Sequence, residues 1–226
     1  MKMLRHIPNA LTCFNLLSGC LGIVAVWEGD VDHAVWYVIT ACLFDFLDGF
    51  TARALQVSSP IGKELDSLAD MVSFGLLPSL VMYRMIDTLS PSSYLPYGAF
   101  SIAVFSALRL AKFNVSENQK DSFIGLPTPA NALLITSLVY LKSPWDTFIS
   151  QDFFLIAITA ISSFMLVAPV ELFALKFKSF TWKENQVKFT FIAFSVLLLG
   201  IWQLGAMPFV ILTYVAVSLL KLWVRF

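Results

Sequence analysis

Charge is scarce in this sequence. Only 13% of its 226 residues are Asp, Glu, Lys or Arg, against 58% hydrophobic residues, and the mean hydropathy is +0.78. A soluble domain needs far more charge to cover its surface, so the composition excludes that class and indicates a polytopic membrane protein. The 15 basic and 15 acidic residues cancel, so bulk charge selects no partner, and no nucleic-acid binding is expected. Cysteine is equally sparse. Cys13, Cys20 and Cys42 all sit in apolar segments, which excludes a disulfide framework. The only histidines, His6 and His33, fall at opposite predicted faces and cannot share a metal. There is no low-complexity tract, convincing repeat or soluble domain. Residues 1–6 followed by an apolar run suggest a signal peptide. That run continues to about Trp27 with polar Asn15 inside it, and no small-residue cleavage site follows, so it reads as a retained first helix.

Long apolar runs dominate what remains. A spanning helix needs about 20 mostly apolar residues, and the pattern predicts eight: roughly 8–27, 33–54, 67–86, 95–112, 126–142, 153–175, 187–204 and 207–224. Pro78 is expected to kink the third and Pro169 the sixth, while Pro208 can start the eighth. With the N-terminus in the cytoplasm, all of the 15 Lys and Arg residues except Arg84 and Lys142 fall at cytoplasmic ends, as the positive-inside rule requires. Trp27, Trp36, Tyr37, Tyr94, Tyr97 and Trp145 cluster near predicted interfaces, as aromatic belts do. The expectation is a single all-α domain over 1–226 in the cytoplasmic membrane. It has about eight transmembrane helices, both termini cytoplasmic, and a cytoplasm-facing polar cavity between helices 2 and 3. The polar connections 113–124 and 176–186 are expected at that face, and the second also reads as an interfacial loop on anionic lipid.

One stretch breaks the apolar pattern: Asp45 to Asp70, DFLDGFTARALQVSSPIGKELDSLAD. Asp45 and Asp48 are spaced i, i+3 and Asp66 and Asp70 i, i+4, so each pair shares a helix face. Four carboxylates near a bilayer repel unless cations neutralise them, and such hard oxygen ligands suit Mg²⁺ or Mn²⁺. Gly49, Ala52 and Gly62 allow close approach of a ligand or backbone, and Arg53 supplies a charge suited to phosphate. The residues alone indicate a metal-dependent phosphate site at a membrane surface.

The spacing Asp45-x2-Asp48-Gly49-x2-Ala52-Arg53-x8-Gly62-x3-Asp66-x3-Asp70 resembles the CDP-alcohol phosphatidyltransferase signature at all eight defined positions. The segments Ile7–Asn15 (IPNALTCFN), Leu65–Ser79 (LDSLADMVSFGLLPS) and Arg109–Val115 (RLAKFNV) are similar to its phosphatidylserine synthase branch. The resemblance covers roughly residues 5 to 130. It implies two divalent ions, Mg²⁺ or Mn²⁺, held by Asp45, Asp48, Asp66 and Asp70, with Asp70 also the general base. It implies CDP-diacylglycerol contacts from Gly49, Ala52, Arg53, Ser59 and Gly62, and from Asn9 and Thr12 in the first helix. For Asn9, a helix N-cap is the alternative. It also implies a homodimer.

The implied reaction is attack by an alcohol hydroxyl on the β-phosphorus of CDP-diacylglycerol with release of CMP, the alcohol being L-serine in this branch. A general base points to direct displacement rather than a covalent enzyme intermediate. Arg109, Lys112 and Asn114 are candidates for the serine carboxylate pocket, with positive-inside anchoring as the other reading of the two cations. The branch more often has Arg where Lys112 stands, and Lys gives up bidentate geometry. Ser67 and Ser73 lie near the aspartates without an assigned role. The prolines of Gly125–Ala130 (GLPTPA) read as a rigid helix start. Two rivals stand beside this reading. One is a sibling enzyme using another alcohol. The other is a transporter whose intramembrane acids bind cations or protons, which the Gly-x2-Ala-Arg interval does not serve.

Overall fold

The computed structural model describes residues 6–57, 59–91, 93–115, 122–173 and 181–223. Residues 116–121 and 174–180, which include parts of both polar connections together with Lys120, Lys176 and Lys178, lie outside the described residues, as do Lys2, Arg5 and Arg225.

The first two helices, α1 (Ile7–Trp27) and α2 (Ala34–Ala54), form the most extensive pair in the bundle. The buried face of α1 carries Thr12, Asn15, Ser18, Gly19, Gly22 and Ala25, while Phe14, Leu17, Leu21 and Val24 are about half exposed. Small and polar inside, large and apolar outside, is how a helix packs in lipid, where bringing helices together gains no hydrophobic energy. Gly19 shows how close that packing is. A β-carbon there would lie 2.8 Å from the Ser73 Cα.

The α2 helix closes with Gln56 in the left-handed region (φ 53°) and a Val57 N–H to Ala52 carbonyl bond of 2.9 Å. Ser59 then caps α3 (Pro60–Asp70), its hydroxyl accepting from the Gly62 N–H at 3.0 Å, with Pro60 at the first helical position. A π-helical turn, Met71–Leu76, joins α3 to α4 (Leu77–Leu89), making one helical stretch over Pro60–Leu89. The kink expected at Pro78 is realised as this turn. A proline lacks the N–H for the preceding α-bond and its ring crowds the carbonyl four residues back. The Leu77 N–H instead reaches the Val72 carbonyl. The third helix also starts earlier than expected, so Asp66 and Asp70 sit inside it rather than at its beginning.

A 3₁₀ segment, Leu95–Phe100, leads into α5 (Ser101–Val115). The chain then forms β1 (Ser122–Ile124), α6 (Thr128–Thr136), the short α7 (Asp146–Ile149), α8 (Asp152–Val167) and β2 (Glu171–Phe173), which pairs antiparallel with β1. Two long helices complete it, α9 (Trp182–Trp202) and α10 (Met207–Trp223), with Pro208 in the first turn of α10 as expected. Gln203 at φ 52° breaks the helical run between them.

The structure is a helical membrane bundle in which, among the described residues, the only β-structure is one pair of three-residue strands. Five stretches among the described residues are long and apolar enough to cross a membrane: Ile7–Trp27, Ala34–Ala54, Pro60–Leu89, Leu95–Val115 and Asn185–Lys221, the last divided at Gln203. Two expected spans are shorter than predicted. Helix α6 rises only about 14 Å, half a hydrocarbon core, because Pro127 and Pro129 delimit its start and the Thr136 and Ser137 hydroxyls bond back to carbonyls at its end. It is instead a buried post. Ala132, Ile135 and Leu134 each belong to a different core cluster, so the rest of the bundle packs around α6. Helix α8 stops at Val167 because Ala168 precedes Pro169 and adopts extended geometry (ψ 137°).

Candidate active site

Helices α1, α2 and α3 converge where the aspartates lie. One oxygen from each of Asp45, Asp48 and Asp66 falls within 4.8 Å of the others. At that separation each pair of ionised carboxylates repels by on the order of 3 kcal/mol at an effective dielectric of about 20. Among the described residues no ion pair to a Lys or Arg neutralises the cluster. The buried Asp66 Oδ1 has no hydrogen-bond partner. Three hard oxygen donors, mutually repelling and one of them orphaned, fit a divalent cation.

Asp70 stands one turn deeper and apart from that group. It is 9% exposed, and its Oδ1 accepts from the Asn15 Nδ2 at 3.1 Å. Thr12, one turn before Asn15, has its hydroxyl 2.6 Å from Asp48 Oδ2 and 3.1 Å from the Pro8 carbonyl. Thus α1 holds one carboxylate from each aspartate pair, through side chains spaced i, i+3. Asn15 carries no assignment from the sequence. The signal that could have found it is periodicity, since Asn9, Thr12 and Asn15 repeat every three residues along an apolar helix.

Beside the cluster opens a cavity of about 490 Å³. Asn9 and Thr12 line it from α1, Asp48, Gly49 and Ala52 from α2, and Ser59, Gly62, Lys63 and Asp66 from the start of α3. Gly62 is required by close approach: a β-carbon there would sit 3.0 Å from both Asn9 Oδ1 and Ser59 Oγ. Asn9 lies inside α1, whose N-cap position belongs to His6, so the N-cap alternative for Asn9 does not hold. The Ser59 hydroxyl is committed to the Gly62 N–H. Arg53 lies at the exposed rim, its guanidinium folded toward Gly49.

The three residues considered for the serine carboxylate separate. Asn114 reaches the site's edge, where its Nδ2 donates to Ser67 Oγ at 2.8 Å and its carbonyl accepts from Lys63 Nζ at 2.7 Å. Arg109 is turned the other way. It is buried, and its Nη1 donates to the Ile124 carbonyl at 2.6 Å and the Leu166 carbonyl at 3.1 Å, tying α5 to β1 and to the end of α8. Arg109 and Lys112 line a second cavity of about 650 Å³ with Ile124, Leu166 and Pro169, and it shares no lining residue with the first.

The fold and this site define a helical membrane protein with an acidic centre among its spanning helices, beside a cavity of about 490 Å³. The sequence profile of CDP-alcohol phosphatidyltransferases matches residues 5–171, and the chain belongs to that family. Within it, the chain is similar to the CDP-diacylglycerol–serine O-phosphatidyltransferase of Bacillus subtilis, with 34% identity over 142 residues, 62% of this chain and 79% of that protein. It is 36% identical over 140 residues to the Helicobacter pylori (strain J99) protein of the same name, covering 61% of this chain and 59% of that protein. The match thus spans less than two thirds of the Helicobacter protein's length. The archaetidylserine synthase of Methanothermobacter thermautotrophicus is 33% identical over 168 residues, 73% of this chain and 68% of that protein.

Proposed function

We propose that this protein transfers the phosphatidyl group of CDP-diacylglycerol to the hydroxyl of L-serine, releasing CMP. The observation that carries this reading is the cavity itself. Asp48 and Asp66 of the three-carboxylate cluster form part of its wall, together with Gly62 and Asn9. The names of the relatives support serine as the acceptor.

Asp45, Asp48 and Asp66, with Asp70, would hold two divalent ions, Mg²⁺ or Mn²⁺. When bound, they supply charge stabilisation of the pyrophosphate and of the departing CMP. The protein's own groups do the rest. Gly49, Ala52 and Gly62 leave room for the nucleotide, Asn9 and Thr12 border it, and Ser59 shapes the loop by capping α3. Arg53 and Lys63 offer cationic donors at the rim. Asp70 accepts the proton of the serine hydroxyl as its oxygen bonds to the β-phosphorus, while the bond to the bridging oxygen breaks and CMP leaves with the electron pair. Asn114, bonded to Ser67 on α3, is the nearest of the three acceptor candidates to the aspartates, so we assign it the acceptor side. Arg109, whose guanidinium is committed to the Ile124 and Leu166 carbonyls, acts there only through the α5 backbone. The site faces the cytoplasm of the cytoplasmic membrane, in keeping with the Lys and Arg distribution, and the chain works as a homodimer, as its family resemblance implies.

The deciding experiment is CMP release from CDP-diacylglycerol by purified protein in detergent, with Mg²⁺ or Mn²⁺, with and without L-serine. Serine-dependent release with a matching phosphatidylserine product is expected. Release with another alcohol but not serine would keep the family and overturn the acceptor. No release with any alcohol by folded protein would favour transport.

A further inference from the structure

Asn15 sits in the middle of α1 with no exposed surface. Its Nδ2 donates to Asp70, and its Oδ1 has no partner. A buried amide with an unpaired acceptor is a poor choice for stability, since an apolar side chain would avoid the desolvation cost. The neighbouring polar residue on the same face, Ser18, behaves differently: its hydroxyl donates to the Tyr37 backbone carbonyl at 2.8 Å, an architectural bond between α1 and α2. What the amide at position 15 provides is a donor aimed at Asp70.

The backbone around Asn15 is itself anchored. Its carbonyl accepts from Ser73 Oγ at 2.9 Å, and Ser73 is fully buried in the π turn that follows Asp70. Gly19 permits the approach, its Cα facing Ser73 directly. Asp70 and Ser73 therefore both bond to the same α1 residue, one to its side chain and one to its main chain. A carboxylate carried by one helix is thereby referenced to a second helix at two points.

We infer that Asn15 is a positioning residue for Asp70. Its amide fixes Oδ1 and so the orientation of Oδ2, and Ser73 holds the α1 backbone from which the amide projects. This rests on the role of Asp70 as proton acceptor given above. Hydrogen-bond partners that orient functional groups in this manner carry about 10- to 100-fold effects.

The test is Asn15→Leu, close in volume and without a donor, assayed beside wild type, Asp70→Asn and Ser73→Ala. Expected for Asn15→Leu is a roughly 10- to 100-fold fall in kcat. KM for CDP-diacylglycerol, the melting temperature in detergent and the affinity of the tightest Mn²⁺ site, read by electron paramagnetic resonance, should stay near wild type. Ser73→Ala, which keeps the amide, should show the same kcat-only pattern at smaller amplitude. It decides the matter if Asn15→Leu does not fold. In the Asp70→Asn background, Asn15→Leu should cost nothing further, because its effect runs through Asp70. Unchanged kcat in folded Asn15→Leu overturns the proposal, as does a kcat loss matched by equal losses in Mn²⁺ affinity and melting temperature. Wild type active with another alcohol but not serine would fail the acceptor reading alone, and the same ratios measured with that alcohol still judge Asn15. Wild-type turnover in Asp70→Asn would fail the base assignment, and Asn15 with it.

Discussion

Asp70 is about nine-tenths buried and bonded to Asn15, whereas Asp45, Asp48 and Asp66 bring oxygens within 4.8 Å of one another. The two environments predict separable defects. Asp70→Asn keeps the side-chain volume and removes the proton acceptor, so turnover should fall by about 10²- to 10⁴-fold. CDP-diacylglycerol binding, measured by equilibrium titration, should change little. A parallel loss of binding would place Asp70 among the nucleotide contacts instead. On the opposite side of the bundle, His33 Nδ1 lies 2.7 Å from Asp30 Oδ1 in the loop between α1 and α2. The bond to Asp30 raises the His33 pKa above its ordinary value, and the same bond lowers that of Asp30. Any stabilisation from His33 is present at low pH and is lost as pH rises through its raised pKa. An imidazole titration followed by NMR should show that elevation, and Asp30→Asn should remove it.

The polar face of α1 does more than its apolar composition suggests. Thr12 and Asn15 reach the two aspartate pairs, Ser18 bonds α2, and Gly19 brings the backbone against the π turn. Gly19→Val should therefore be costly, because its β-carbon would meet the Ser73 backbone rather than a side chain that can move aside. A loss of about 1–3 kcal/mol is expected from overpacking. It should appear as a lowered melting temperature in detergent, together with reduced turnover as the π turn that follows Asp70 shifts. Helix existence and the aspartate faces were legible from periodicity and i, i+3 or i, i+4 spacing. Helix lengths were less so. The spans predicted at 126–142 and 153–175 end early because Ser137 and Thr136 turn back on their own carbonyls and Pro169 forbids the preceding helical geometry. Hydropathy averages register neither effect.

Taken whole, the bundle turns many large apolar side chains outward and places Asp45, Asp48, Asp66 and Asp70 toward one end of α1–α3, so a cation held there would link binding to folding. A ligand held only by the folded state at about 100 times its Kd adds roughly 2.7 kcal/mol. Chelation should abolish CMP release and lower the melting temperature, and Mg²⁺ or Mn²⁺ should restore both. A melting temperature indifferent to chelation, in protein whose activity does respond, would mean that the carboxylates are accommodated without a cation. The sequence by itself determined the membrane class, the family, and the pairing of aspartates on two helix faces, because hydropathy and helical periodicity are local properties. Tertiary structure alone decided that three aspartates converge while the fourth is handed to Asn15. It alone decided that Arg109 turns from the site to the Ile124 and Leu166 carbonyls. Those outcomes depend on how closely one helix approaches another, which here is set by Gly19, by the π turn before Pro78 and by the buried post α6.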